Sequence, residues 1–218
     1  MRVYNLTTSQ FALSNIALRR LKVARFNDLN DPFELLAVDV AEVDLRVGIR
    51  AKKEQINLTE GLLCFSRTWR SPLLWSHYAD KHRGIALGFD VPDQLLVPVH
   101  YIQGLHRVKI LAKETTQSTI DNLLERLRYT KFDGWSYEDE LRQFFKLEEL
   151  SRQSGLHFVP FSDTLVLREV ILGPRCDIPV DAVRTLVEYF PGVRVTQARI
   201  AYSKFGVVED KRFRKVKS

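Results

Sequence analysis

The sequence is short of cysteine, glycine, proline and long apolar runs. Its two cysteines, Cys64 and Cys176, are too few for a disulfide scaffold and lack the C-x-x-C spacing of a zinc knuckle, so both are expected as free thiols. Ten glycines and eight prolines in 218 residues exclude fibrous and low-complexity classes, and 45% apolar residues exclude a disordered one. No apolar run approaches the roughly 20 residues needed to cross a bilayer, which removes a membrane partner. Met1 leads into a strand-like segment without a basic and apolar leader, so a cytoplasmic location is expected. No glycine-rich phosphate loop and no internal repeat occurs. What remains is enough apolar chain for one packed core, predicted as a single α+β domain over residues 1–208 followed by a basic tail, 209–218.

The net charge is +6, and the last ten residues hold five basic and two acidic side chains, half of that excess. Such an end is expected as a solvated terminus, with RNA or DNA as its candidate partner because phosphate attraction needs little beyond positive charge.

The stretch around which the rest can be placed is Ser71 to Asp90. Ser71 and Pro72 suit a helix start, Leu74, Trp75 and Tyr78 share a helical face, and Gly84 ends the turn. Ile85, Leu87 and Phe89 then alternate with Ala86 and Gly88 in a run apolar on both sides, which reads as a central strand. Gly88 admits a close neighbour, whether backbone or ligand. Before this stretch come a strand at Val3–Leu6, a helix capped by Thr7 or Thr8, and a strand at Leu21–Phe26. A tight loop follows at Asn27–Glu34, then a strand at Leu35–Val43, an exposed helix at Asp44–Asn57 and a strand at Gly61–Ser66. After it come a strand at Pro98–Gln103 and a helix at Thr119–Tyr129. The segment Trp135–Arg142 reads either as a strand that puts Glu138, Glu140 and Arg142 on one side or as a helix in which Glu138 pairs with Arg142. A strand at Leu165–Leu172, a helix at Val180–Tyr189 and a paired Val193–Ala201 and Phe205–Val208 complete the chain.

Four segments carry a resemblance: Tyr4-Asn5-Leu6-Thr7-Thr8, the loop Asn30-Asp31-Pro32-Phe33-Glu34, Trp75 to Phe89, and Glu138 to Arg142. Together they resemble a bacterial family known only as domain of unknown function 2971. Asn5 departs from it, standing where a basic or His residue is usual. The order of parts is in turn similar to the ADP-ribosyltransferase fold, which implies split β-sheets with surrounding helices and a cleft for NAD. The resemblance implies a transferase that uses NAD as substrate, as a toxin or phage-defence effector with a nucleic acid or a protein as acceptor and an antitoxin as candidate partner.

Cleaving the nicotinamide–ribose bond passes through an oxocarbenium-like state, so a carboxylate is needed near the ribose. Glu140 is the candidate, with Glu138 beside it to deprotonate the acceptor and Arg142 to keep both ionised. An aromatic must hold the nicotinamide, and Tyr78 is the first candidate and Trp75 the second. Tyr4, Asn5 and Thr7 are implied on the cleft's first strand. Arg25 or Lys22 and the loop bearing Asn30 and Asp31 are candidates for the pyrophosphate. No metal is expected: His77 and His82 lie about 140° apart around a helix. Cys64, in an apolar strand, is expected to be inert. The alternative is a non-catalytic module that binds a nucleotide or nucleic acid.

Overall fold

The computed structural model describes residues 1–39, 43–107 and 116–213. Its elements begin with β1 (Arg2–Thr7), α1 (Ser9–Ala17), β2 (Arg20–Val23), β3 (Val38–Asp39), α2 (Val43–Thr59) and β4 (Glu60–Ser66). The middle holds α3 (Pro72–Tyr78), β5 (Ile85–Asp90), β6 (Val97–Pro98), β7 (His100–Ile102), β8 (His106–Arg107), α4 (Gln117–Leu127) and β9 (Thr130–Phe132). The last third holds β10 (Glu140–Lys146), β11 (Ser151–Gln153), β12 (Leu156–Pro160), β13 (Val166–Leu172), α5 (Val180–Leu186), β14 (Arg194–Ile200) and β15 (Val207–Glu209). The fold is mixed α+β.

Eight strands form the main sheet in the order β15-β14-β13-β5-β1-β4-β10-β6. Its ladders are long on either side of the middle, with six pairs between β1 and β5 and seven between β4 and β10. Between β1 and β4 there is one, Tyr4 opposite Ser66. The Asn5 amide adds a bond across this seam, donating to the Cys64 carbonyl at 3.2 Å.

β5 is buried on both faces, as its composition requires. Ile85, Leu87 and Phe89 face a core shared with α1 and α5, through Ile16 and Val183 among others. Ala86 faces the other way, against Trp69, Trp75 and Ile171. The close approach expected at Gly88 is made by Tyr4: a Cβ there would lie 3.0 Å from its ring. A third core joins α2 and α4 to Leu35 and Leu62. The helix at Val43–Thr59 is therefore not simply exposed. Leu45, Ile49 and Ile56 recur on one face and are buried.

Other expectations shift. The strand expected over Leu35–Val43 shortens to Val38–Asp39, because Leu35 takes a left-handed φ of 61° and Val43 opens α2; residues 40–42 lie outside the described part. Pro98–Gln103 divides into two strands, with β6 pairing to β10 and β7 switching to β9. The chain stays in the fold past residue 208. β15 runs to Glu209, Asp210 is buried and holds Arg212 with bonds of 2.6 to 3.1 Å, and Arg184 donates to the Phe213 carbonyl. Residues 214–218 of the expected tail lie outside the described part.

After α3 the chain makes a left-handed turn through three consecutive non-glycine residues, Asp80, Lys81 and His82, with φ of 43°, 51° and 75°. Each costs roughly 1–2 kcal/mol, so the surroundings must hold them there. The His82 N–H donates to the Trp75 carbonyl, the His82 carbonyl accepts from Arg175, and its imidazole meets the Ser76 hydroxyl at 3.1 Å. Gly84 and Gly173 close the turn, where added Cβ atoms would collide with the Thr7 and His82 carbonyl oxygens. This turn follows at once on the end of α3, with Ala79 alone between Tyr78 and Asp80.

Candidate functional site

A cavity of about 350 Å³ opens at the seam of the main sheet. β1 contributes Tyr4, Asn5 and Leu6, β4 contributes Cys64, Phe65 and Ser66, and α3 contributes Leu74, His77 and Tyr78. The wall is completed by Asp28, Leu29 and Asn30 from the loop after β2, by Lys131 from β9, and by Glu138 and Glu140. The volume lies within the range of small-molecule sites. A recess of about 680 Å³ beside α5 is larger, but its Arg184 and Arg194 are already paired with Asp181, Glu169 and Glu209.

The ambiguity over Trp135–Arg142 resolves into both forms in succession. Asp133–Glu138 is a 3-10 helix, Asp139 turns the chain with a left-handed φ of 44°, and β10 begins at Glu140. That turn brings both carboxylates onto one ammonium: Lys131 Nζ donates to Glu138 at 2.6 Å and to Glu140 at 3.2 Å. The Tyr78 hydroxyl donates to the other Glu138 oxygen and accepts from the Asn30 amide at 2.7 Å. The Glu140 N–H donates to the Tyr101 hydroxyl at 2.9 Å.

Behind this wall lies Arg142, fully buried, with all five of its N–H donors engaged. Nε and one terminal nitrogen donate to Glu140 at 2.9 and 3.2 Å, the two terminal nitrogens fork onto Glu34, and one also meets the Arg128 carbonyl at 2.8 Å. Three carboxylates, Glu34, Glu138 and Glu140, therefore share two cations in a buried site. If all ionise, the cluster carries one excess negative charge.

The environments of the two acidic side chains differ in sign. Burial raises the Glu138 carboxyl above its usual range, against the pull of Lys131 and the Tyr78 hydroxyl. Burial would also raise Glu140, but Arg142 and Lys131 outweigh it and hold that carboxyl at about 2. Burial raises Glu34 despite Arg142. Lys131 stays protonated, because Glu140 and Glu138 more than offset its burial. Burial, then Glu138, pushes the Tyr78 hydroxyl up. Burial, then Glu169, pushes the Tyr4 hydroxyl to about 12.

The structure thus brings Tyr4, Asn5, Asn30, Tyr78, Glu138 and Glu140 around one cavity, and leaves six other candidates off its wall. Thr7 ends β1 opposite Ile85. Arg25 precedes the turn at Phe26–Asp28, where its N–H donates to Asp28, and Lys22 also pairs with Asp28. Asp31 is buried, with one carboxylate oxygen accepting from the Phe33 N–H. Trp75 is fully buried in the core and donates to the Trp69 carbonyl at 2.6 Å, so the ring available to the cavity is Tyr78. Arg142 stands behind Glu140. Cys64, although on the wall, is pushed well up by burial and then Glu140, which keeps it a thiol. Among the described residues no three His, Cys, Asp or Glu are grouped to hold a metal ion.

Residues 74–143 match the model of a family described as protein of unknown function, DUF2971. That stretch, less than half of the chain, is what the protein shares with the family. The matched stretch runs from α3 into β10 and contains Tyr78, Lys131, Glu138, Glu140 and Arg142. No curated protein and no solved structure matches the chain.

Lys131 and Glu34 belong to the buried ion cluster, yet neither carries a role in the sequence. Lys131 sits in a three-residue strand, Thr-Lys-Phe, too short for a period. Glu34 ends a loop whose composition marks only a turn. The usable signal is charge balance: three buried carboxylates beside one Arg require a second cation.

Proposed function

We propose that the seam cavity is the catalytic site of an enzyme that breaks the nicotinamide–ribose bond of NAD and transfers the ADP-ribose. The observation that carries this reading is the shared cavity of Tyr78, Glu138 and Glu140 with the first-strand residues Tyr4 and Asn5. Bond cleavage leaves its electron pair on the nicotinamide nitrogen and positive charge on the ribose. Glu140, held ionised, is suited to face that charge, and the excess negative charge of the cluster acts in the same direction. Glu138, raised towards neutrality, is suited to take the proton of the attacking acceptor. The Tyr78 ring offers a face to the flat nicotinamide. The acceptor class under this reading is a nucleic acid or a protein.

The test is release of labelled nicotinamide from NAD by the parent protein and by Glu140→Gln, which keeps shape and removes charge. Release by the parent and a loss of at least about a hundredfold in the variant are expected, comparable to loss of one electrostatic group in an active site. Equal rates remove Glu140 from the chemistry. A second reading, a nucleotide- or nucleic-acid-binding module without catalysis, draws on Asn5, whose amide is engaged with the Cys64 carbonyl where a basic side chain would face the ligand. Salt-sensitive binding without nicotinamide release would favour it.

A further inference from the structure

We propose that Glu34 is a positioning residue: by gripping Arg142 from behind, it fixes Glu140 in the cavity wall, while Asn30, at the other end of the same five-residue loop, fixes Tyr78 over Glu138. This rests on the site reading above and assigns the loop a duty other than ligand contact.

The geometry is that of a clamp with two arms. Asn30 donates to the Tyr78 hydroxyl at 2.7 Å, and that hydroxyl donates to Glu138. Glu34 receives both terminal nitrogens of Arg142, at 2.9 and 2.5 Å, and the same guanidinium holds Glu140. A planar guanidinium forked onto one carboxylate cannot rotate, so its remaining edge presents Nε and one terminal nitrogen to Glu140 in a single orientation. The segment between the arms is stiff. Asp31 accepts from the Phe33 N–H, its carbonyl accepts from the Glu34 N–H at 3.2 Å, and Pro32 fixes one φ. Glu34 itself is buried and does not border the cavity, so it acts through Arg142.

The groups facing Glu140 are Lys131 from β9, Arg142 from its own strand, Cys64 from β4, Glu34 from the loop, Glu138 across Lys131 and Tyr101 from β7. This gives a test whose sign separates positioning from mere proximity of charge. Removing one negative neighbour lowers the proton affinity of the carboxylates that remain. If Glu34 positions Arg142, its loss lets the guanidinium turn away, and the proton affinity of Glu140 rises.

Carbon-13 carboxyl titration of the whole protein without NAD reads this directly. In Glu34→Gln, whose NH2 replaces one of the two acceptor oxygens of the fork, the Glu140 midpoint should rise from about 2 by about one unit or more. An unchanged or lower midpoint overturns the proposal. Should Glu34→Gln fail to fold, Glu34→Asp keeps the charge, shortens the reach and is expected to move Glu140 in the same direction; no movement there overturns the proposal equally. With NAD, kcat should fall about tenfold or more at unchanged KM, and Glu34→Gln with Arg142→Lys should lose no more than the worse single variant. Multiplying losses overturn it. A Glu140 midpoint that rises in a protein releasing no nicotinamide supports the clamp and removes the proposed activity instead.

Discussion

Lys131→Met is the sharpest probe of the buried cluster, because it removes the ammonium while keeping an unbranched stem of similar length. The parent ammonium lies 2.6 Å from Glu138 and 3.2 Å from Glu140, with Glu34 at 4.0 Å. Removing one partner of a buried ion pair costs about 3–5 kcal/mol, since the stranded carboxylate keeps its burial and loses its cation. For a chain of this length each kcal/mol moves Tm by roughly 2–4 °C, so a fall of about 6–20 °C is expected. The effect should also depend on pH, and the sign follows from the groups left behind. Glu138 and Glu34 are already raised by burial, and loss of Lys131 raises them further. A carboxyl whose folded pKa lies above its unfolded value stabilises at low pH and loses that contribution as pH rises. The gap in Tm between parent and variant should therefore be widest at pH 8 and narrow towards pH 5. Lys131 itself adds no slope in that window, because its raised pKa keeps it charged throughout. Thermal melts followed by circular dichroism over this range provide the measurement. Adding Glu138→Gln to Lys131→Met should recover part of the loss by removing the stranded charge. A loss under about 1 kcal/mol, or a gap that does not change with pH, would refute the buried ion cluster.

Other perturbations separate scaffold from chemistry. Trp75→Ala should cost about 3–5 kcal/mol in denaturant melts, because Trp75 is fully buried; a small cost would mean its ring is not core. Tyr78→Phe keeps the ring and removes the hydroxyl between Asn30 and Glu138, so the KM for NAD should hold while nicotinamide release falls, at a stability cost near 1–2 kcal/mol. Gly173→Ala should destabilise by about 1–3 kcal/mol, as its Cβ would meet the His82 carbonyl in the left-handed turn. Ending the chain at Val208 should lower Tm, because it removes the end of β15 and buried Asp210.

The elements with a clear period were legible from residues alone. The helix after Thr8, the central strand Ile85–Phe89 and the pairing of Val193–Ala201 with Phe205–Val208 follow from alternation, helical spacing and capping, and they recur with shifts of a residue or two. The small strands were not legible. Thr130–Phe132 and Ser151–Gln153 are three residues each, too short to show a period, and the first depends on β7, a partner distant in sequence. The same limit governs the site. Glu138 and Glu140 stood out because two carboxylates at alternating positions are a chemical pattern, and Tyr78 because a helix placed it. Lys131 was hidden: one lysine in a short polar stretch reads as surface, and only the β7–β9 pairing carries it inside. Trp75 erred in the other direction. A large aromatic next to candidate residues drew a ligand role, whereas its place on α3 turns the indole towards Trp69 and Ala86.

The single residue pair joining β1 to β4 gives occupancy of the cavity a thermodynamic meaning. Two well-knit halves of a sheet meet there through one rung and an asparagine bond, so a molecule seated among Tyr4, Ser66 and Glu140 would touch both halves and act as mortar between them. Whatever binds should raise resistance to heat in proportion to its concentration, and the amides flanking the joint should report its arrival by slowed hydrogen exchange before any product is made.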